Sequence, residues 1–216
     1  MQTEIKLQRA YSPTDILNMK KKGFTFEGDW RDAFAEPEQH GVWFIWGNSG
    51  NGKSSFVLQL CKELARFGKI VFNALEESTS KTVQDSVRRH GMEELVGKMT
   101  FTCEPMDHLV YRINKRRGAD IAVIDSFQYT RLTYRQYIEI KEANRNKLLI
   151  FVSHADGKQP AGRAAKSVMY DSDLKIYVEG YRALSKGRYI GDRGYIDVWK
   201  EKALEYWGES SNFDEL

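Results

Sequence analysis

Cysteine and proline are scarce in this chain of 216 residues, which holds two of the first and four of the second. Cys61 and Cys103 stand at no metal-ligand spacing, which argues against structural zinc and predicts two buried, reduced thiols. Few prolines, with 41% apolar and 29% charged residues, exclude a disordered or fibrous chain. Long apolar runs are missing too. No run approaches the roughly 20 residues that span a bilayer, and the opening MQTEIKLQRAYSPTD has no apolar centre of a secretory signal. The expectation is a cytoplasmic protein with no membrane partner. A surplus of one sign of charge is nearly absent: 33 Lys and Arg against 30 Asp and Glu leave a net charge of +3, too little to specify an anionic partner. There is no fixed-period repeat either, which removes solenoids and propellers. The length fits one core with little room for a second.

What is present alternates. The apolar runs GVWFIWG (41–47), KIVFNAL (69–75), DIAVIDS (120–126) and KLLIFVS (147–153) read as strands covered on both faces. Residues 54–68, 79–91 and 134–146 between them read as helices. Strand–helix alternation predicts an α/β three-layer sandwich with a mostly parallel central sheet. After residue 174 the pattern changes to period two around glycine turns, which predicts antiparallel strands at one edge. Residues 1–40 are polar and contain a helix start at Ser12-Pro13, so they read as a helical N-terminal extension before a core at 41–200. Residues 201–216 carry five acids against one base and read as a solvated acidic tail.

The chemistry starts at Gly47-Asn48-Ser49-Gly50-Asn51-Gly52-Lys53-Ser54, a complete G-x-x-x-x-G-K-[ST] match between a predicted strand and a predicted helix. Glycines let backbone N–H groups wrap a phosphate, Lys53 reaches the β- and γ-phosphates, and the Ser54 hydroxyl ligates Mg²⁺. The helix that follows, with Ser55 in its first turn, adds its positive end. Asp125, closing the third apolar run, is the second Mg²⁺ candidate. The residue after it is Ser126 rather than Glu, so a carboxylate that orients water has to come from elsewhere. Glu76, with Glu77 beside it, closes the second run and fits that role.

Taken together, Gly47 to Ser54, Glu76-Glu77-Ser78, AVIDSFQ and IFVSHADG resemble the RecA-type P-loop ATPase core, and within it RadA/Sms proteins and DnaB-type replicative helicases. The zinc, Lon-like and N-terminal modules of those proteins have no counterpart here, and the chain resembles stand-alone cores of phages and mobile elements. The resemblance implies ATP as nucleotide, Glu76 as catalytic acid and His154 as a γ-phosphate sensor. It also implies a pair, Lys186 and Arg188 in Lys-Gly-Arg-Tyr-Ile-Gly, that acts on nucleotide in a neighbouring copy of a ring or filament. The match there is partial, because one residue separates the aromatic from the glycine. Such cores turn two loops towards DNA, here 128–135 with Arg131 and Arg135, and 156–166 with Lys158, Arg163 and Lys166. Between residues 127 and 193, thirteen Lys or Arg face seven Asp or Glu, and Tyr129 or Tyr134 offers a stacking surface, which predicts single-stranded or non-specific DNA as partner. Two other readings stand beside this one. One is an ATP-dependent scaffold or loader like the clock ATPase KaiC. The other is a small-molecule kinase, disfavoured because the basic hairpin looks more like a subunit contact than an arginine lid.

Overall fold

Ser12 starts the first helix as expected. In the computed structural model, which describes residue 7 and residues 9–208, its hydroxyl accepts from the Asp15 N–H at 3.1 Å, and the Asp15 carboxylate accepts from the Ser12 N–H at 2.9 Å. That capping box begins α1 (Pro13–Leu17), and α2 (Asp29–Phe34) follows. Phe24, Phe26 and Phe34 are buried, with Phe24 edge-on to Trp43 of the first strand at 5.4 Å. The later part of the N-terminal segment therefore supplies core rather than hanging from it.

The succession continues as β1 (Gly41–Gly47), α3 (Lys53–Leu64), β2 (Ile70–Ala74), α4 (Lys81–Arg89), β3 (Met99–Thr102), α5 (Met106–Asn114), β4 (Ile121–Asp125), α6 (Phe127–Thr130) and α7 (Tyr134–Ala143). It closes with β5 (Leu148–Asp156), β6 (Gln159–Pro160), α8 (Arg163–Asp171), β7 (Leu174–Glu179), β8 (Arg182–Gly187), β9 (Tyr195–Asp197) and α9 (Lys200–Trp207). The sheet runs β3-β2-β4-β5-β1-β7-β8-β9, with β6 folded onto the end of β5. Pairings from β3 through β7 are parallel, and β7–β8–β9 is antiparallel. Side chains of alternate strand residues point to opposite faces, so each parallel strand feeds two cores. Trp43, Ile45, Phe72 and Val123 pack under α3, while Phe44, Trp46, Ile124 and Phe151 pack under α5, α7 and α8. This is the three-layer α/β sandwich expected from the alternation.

Four details depart from the sequence reading. The short edge strand β3 and helix α5 lie in a stretch without a strong apolar period. Arg163 and Lys166 occupy the first turn of α8, not a loop, because the chain turns back through β6 before residue 163. Residues 201–207 are helical, and α9 buries Ala203 and packs Trp207 against the sheet; the acids of 209–216 lie outside the described residues. Cys61 is buried on the inner face of α3, whereas Cys103 is exposed after β3, so only one thiol matches the expectation. Among the described residues, no helix is long and apolar enough to cross a membrane.

Candidate functional site

The loop after β1 is held by backbone contacts that leave no room for side chains at its ends. A Cβ on Gly47 would sit 2.2 Å from the Val178 carbonyl oxygen, and one on Gly52, which has φ of +90°, would meet the Tyr181 ring at 3.1 Å. Asn51 is the brace. The two-residue turn between β7 and β8, Gly180-Tyr181, has positive φ at both positions, as a type I′ hairpin requires. Its N–H groups both go to Asn51: Gly180 donates to Oδ1 at 2.8 Å and Tyr181 to the carbonyl at 3.1 Å. On the other side, Asn48 Nδ2 donates to the Gly157 carbonyl at 3.2 Å. The cradle therefore faces outward from the start of α3, where free N–H groups and the helix dipole favour an anion.

Strand order brings the remaining chemistry to the same end. Because β5 lies between β1 and β4, His154 is level with Gly47, and Asp125 is level with Val152. The Asp125 carbonyl accepts from the N–H groups of Leu75 and Glu76 at 2.6 and 3.2 Å, which ties the end of β2 to the end of β4. Glu76 then meets His154, with Oε2 and Nε2 2.9 Å apart. Gln128 holds the tip of β5 by donating to the Ser153 hydroxyl at 2.8 Å and accepting from the His154 N–H at 3.3 Å. Burial pushes the Asp125 carboxyl up to about 6, and Glu76 and Glu77 add to that. Lys53 and, less, His154 pull the other way. Glu77 instead accepts from the Thr82 hydroxyl at 2.5 Å and lines, with Ser54 and Asp125, a small recess of about 110 Å³.

The residues fit a magnesium nucleotide on their own chemistry. Ser54 and Asp125 supply hard oxygen ligands on one recess, as Mg²⁺ requires. Beside Asp125, the buried Ser126 hydroxyl has no partner among the described residues, as expected of a group that meets an ordered water. Beyond the loop opens a cleft of about 580 Å³, walled by Gln59, Arg89, His90, Tyr181, Val198 and Trp199. The sequence reading missed this wall, and only the aromatics Tyr181, in the edge turn, and Trp199, after β9, could have signalled it. Tyr181 and Trp199 stand edge to face at 5.9 Å, offering a surface for a planar base.

Other expected residues lie apart. Lys186 is level with Lys175 and hence with Phe44, three residues before the loop begins. Exposed Arg188 pairs with Asp173 at 3.4 Å, at the end of the sheet away from this chain's own loop. Arg131 ends α6, Arg135 is an exposed residue of α7 paired with Glu139 at 3.1 Å, and Lys158, Arg163 and Lys166 are exposed beyond β5.

No family model matches the chain, and no curated protein matches its sequence. Solved structures do share its fold. A KaiC-like protein from the hyperthermophilic archaeon Pyrococcus horikoshii OT3 superposes with a TM-score of 0.57 at 18% identity, covering 82% of this chain and 98% of the other. Flagellar accessory protein FlaH from Methanocaldococcus jannaschii gives 0.56 at 13% identity, covering 81% and 91%. The chain has a RecA-like P-loop fold.

Proposed function

We propose that this chain binds ATP with Mg²⁺ in the cleft at the start of α3 and hydrolyses it. The observation that carries the proposal is the Glu76–His154 contact beside Asp125, which sets a carboxylate and an imidazole at the mouth of the phosphate cradle. Ser54 and Asp125 would hold Mg²⁺, which neutralises phosphate charge when bound. The cradle N–H groups bind the phosphates, Lys53 meets the charge that develops on the γ-phosphoryl, and Glu76, oriented by His154, positions the attacking water. Tyr181 and Trp199 receive the base. The remote placement of Arg188 supports a role on nucleotide held by a neighbouring copy, where a planar guanidinium suits phosphoryl charge. The exposed cations Arg131, Arg135, Lys158, Arg163 and Lys166, at the same end of the sheet as the cleft, support single-stranded DNA as the object of the work.

A second reading follows from the fold neighbour described as a flagellar accessory protein: the same cleft would drive a protein contact. Steady-state ATP turnover with and without single-stranded DNA at low salt tests both. Turnover should rise with DNA. It should fall at least a hundredfold in Lys53→Ala, and in Glu76→Gln with nucleotide binding retained. Full turnover in Lys53→Ala would remove the hydrolysis reading, and turnover indifferent to DNA, with no DNA binding, would leave the scaffold.

A further inference from the structure

A second recess, of about 320 Å³, opens on the face of the sheet covered by α8, and it is separate from the phosphate cleft. Three lysines reach it from three places: Lys158 from the β5–β6 turn, Lys175 from β7 and Lys186 from β8. No acid lines it. Lys175 and Lys186 stand directly opposite each other across the antiparallel pair, an arrangement that costs stability when both carry charge. Lys158 and Lys175 make no ion pair with any described residue. The crowding is felt at Lys186, whose ammonium is held below its ordinary proton affinity first by burial and then by Lys158.

The recess also has an aromatic lining. Trp46 and Tyr177 form its floor, with ring centroids 5.4 Å apart, and the Trp46 indole N–H donates to the Lys158 carbonyl at 3.1 Å, fixing that turn over the ring. Tyr170, at the end of α8, stands on the rim with 70% of its surface exposed. An occupant that satisfies both features brings concentrated negative charge for the lysines and a planar apolar surface for the rim. A phosphate offers the first, as charge with several acceptor oxygens, and a nucleobase the second. The volume lies within the usual range for small-ligand sites of roughly 300 to 1,000 Å³.

We propose that this recess is a second nucleotide site, in which Lys158, Lys175 and Lys186 hold a phosphate and Tyr170 carries the base. Lys186 then serves this site, while Arg188, on the other side of Gly187, turns to Asp173. The ligand is either a free nucleotide or one unit of a single strand, since the recognised chemistry is the same. The assignment is independent of hydrolysis at the phosphate loop.

The test uses the full chain with the first cleft saturated by Mg²⁺ and ADP. Thymidine 5′-monophosphate, a short oligothymidylate and inorganic phosphate are titrated separately at low salt, by calorimetry. Thymidine monophosphate or the oligonucleotide should bind, and Lys175→Gln should weaken that binding about tenfold, the loss expected for one charge-assisted contact. Tyr170→Ala should weaken it as well. The affinity for ADP should be unchanged in Lys175→Gln, which also shows that the variant is folded. Binding of the monophosphate as tight as that of the strand identifies a free nucleotide, and binding of the strand alone identifies nucleic acid. Failure of both probes to bind, inorganic phosphate binding as tightly as the nucleotide, or indifference to Lys175→Gln would overturn the proposal. Failure of ADP to bind would count against the first cleft only, and the same titrations would then run without it.

Discussion

The parallel strands β1, β2, β4 and β5 and the antiparallel edge β7–β9 border one cleft, yet they do so by different physics. Each parallel strand is buried on both faces by helices, so its interior is apolar apart from the hydrogen-bonded Asn73 and Ser153, and its ionisable groups gather towards its C-terminal end. Gly47, Ala74 with Glu76 after it, and Asp125 are such ends, and His154 lies two residues before the end of β5 at Asp156. The edge strands reach the cleft through backbone and side-chain contacts along their length. Their turn donates two N–H groups to Asn51, and Arg182 at the start of β8 forms a buried pair with Asp197 of β9 at 2.7 Å, beneath the rings of Tyr195 and Trp207. The parallel half thus carries the acids and the imidazole of the candidate site, and the edge holds the loop after β1 in shape.

Breaking the edge should have the largest effect on the fold. Arg182→Ala leaves the Asp197 carboxylate without its partner and strips the cation from two rings, which should cost about 3 kcal/mol. A urea titration should show the lower midpoint. Arg182→Lys, which keeps the charge and loses the fork, should fall between the two. An unchanged midpoint in Arg182→Ala would mean that the edge does not stabilise the cradle.

At the parallel half, stability and chemistry should pull apart. Asp125 takes up its proton near pH 6 in the folded chain, against an ordinary value of 3.8. The folded state therefore binds more protons than the unfolded state between these values, and stability falls as pH rises through that window. Asp125→Asn removes the cost, so the nucleotide-free variant should be about 3 kcal/mol more stable than the wild type at pH 7.5. At pH 4 the two should melt together, while the Mg²⁺ dependence of nucleotide binding is lost at every pH. Equal melting temperatures at pH 7.5 would show that the carboxyl is not penalised by burial.

The smallest effect tests the contact between the two regions. Asn51→Ala removes the acceptor of the Gly180 N–H but no group that touches phosphate, and should weaken ADP binding by roughly fivefold, about 1 kcal/mol, with little change in folding. A loss far greater would make Asn51 a direct ligand, and no loss would make the brace dispensable.

Much of this arrangement could be read locally. The phosphate loop needs eight consecutive residues, and its flanking strand and helix follow from the apolar run GVWFIWG and the apolar face of residues 53–64. Glu76 and Asp125 were legible for the same reason, since an acid at the end of a continuous apolar run is already a chemical statement. Helix α9 was hidden because its two lysines and two glutamates, and the acids that follow it in sequence, outweigh the buried Ala203 and the packed Trp207. Arg163 and Lys166 were misread because β6 spans only two residues, too short for any period to register.

The amino-acid sequence by itself determined the sandwich, the cradle and the two strand-end acids, because those depend on short-range periodicity and on spacing within one segment. The tertiary structure decided what stands opposite them. The pairing of Glu76 with His154, the bracing of Asn51 by Gly180 and Tyr181, and the meeting of Lys158, Lys175 and Lys186 join residues far apart in the chain. They arise from the position of β5 between β1 and β4 and from the return of β8 along β7, which neither hydrophobic pattern nor local propensity encodes.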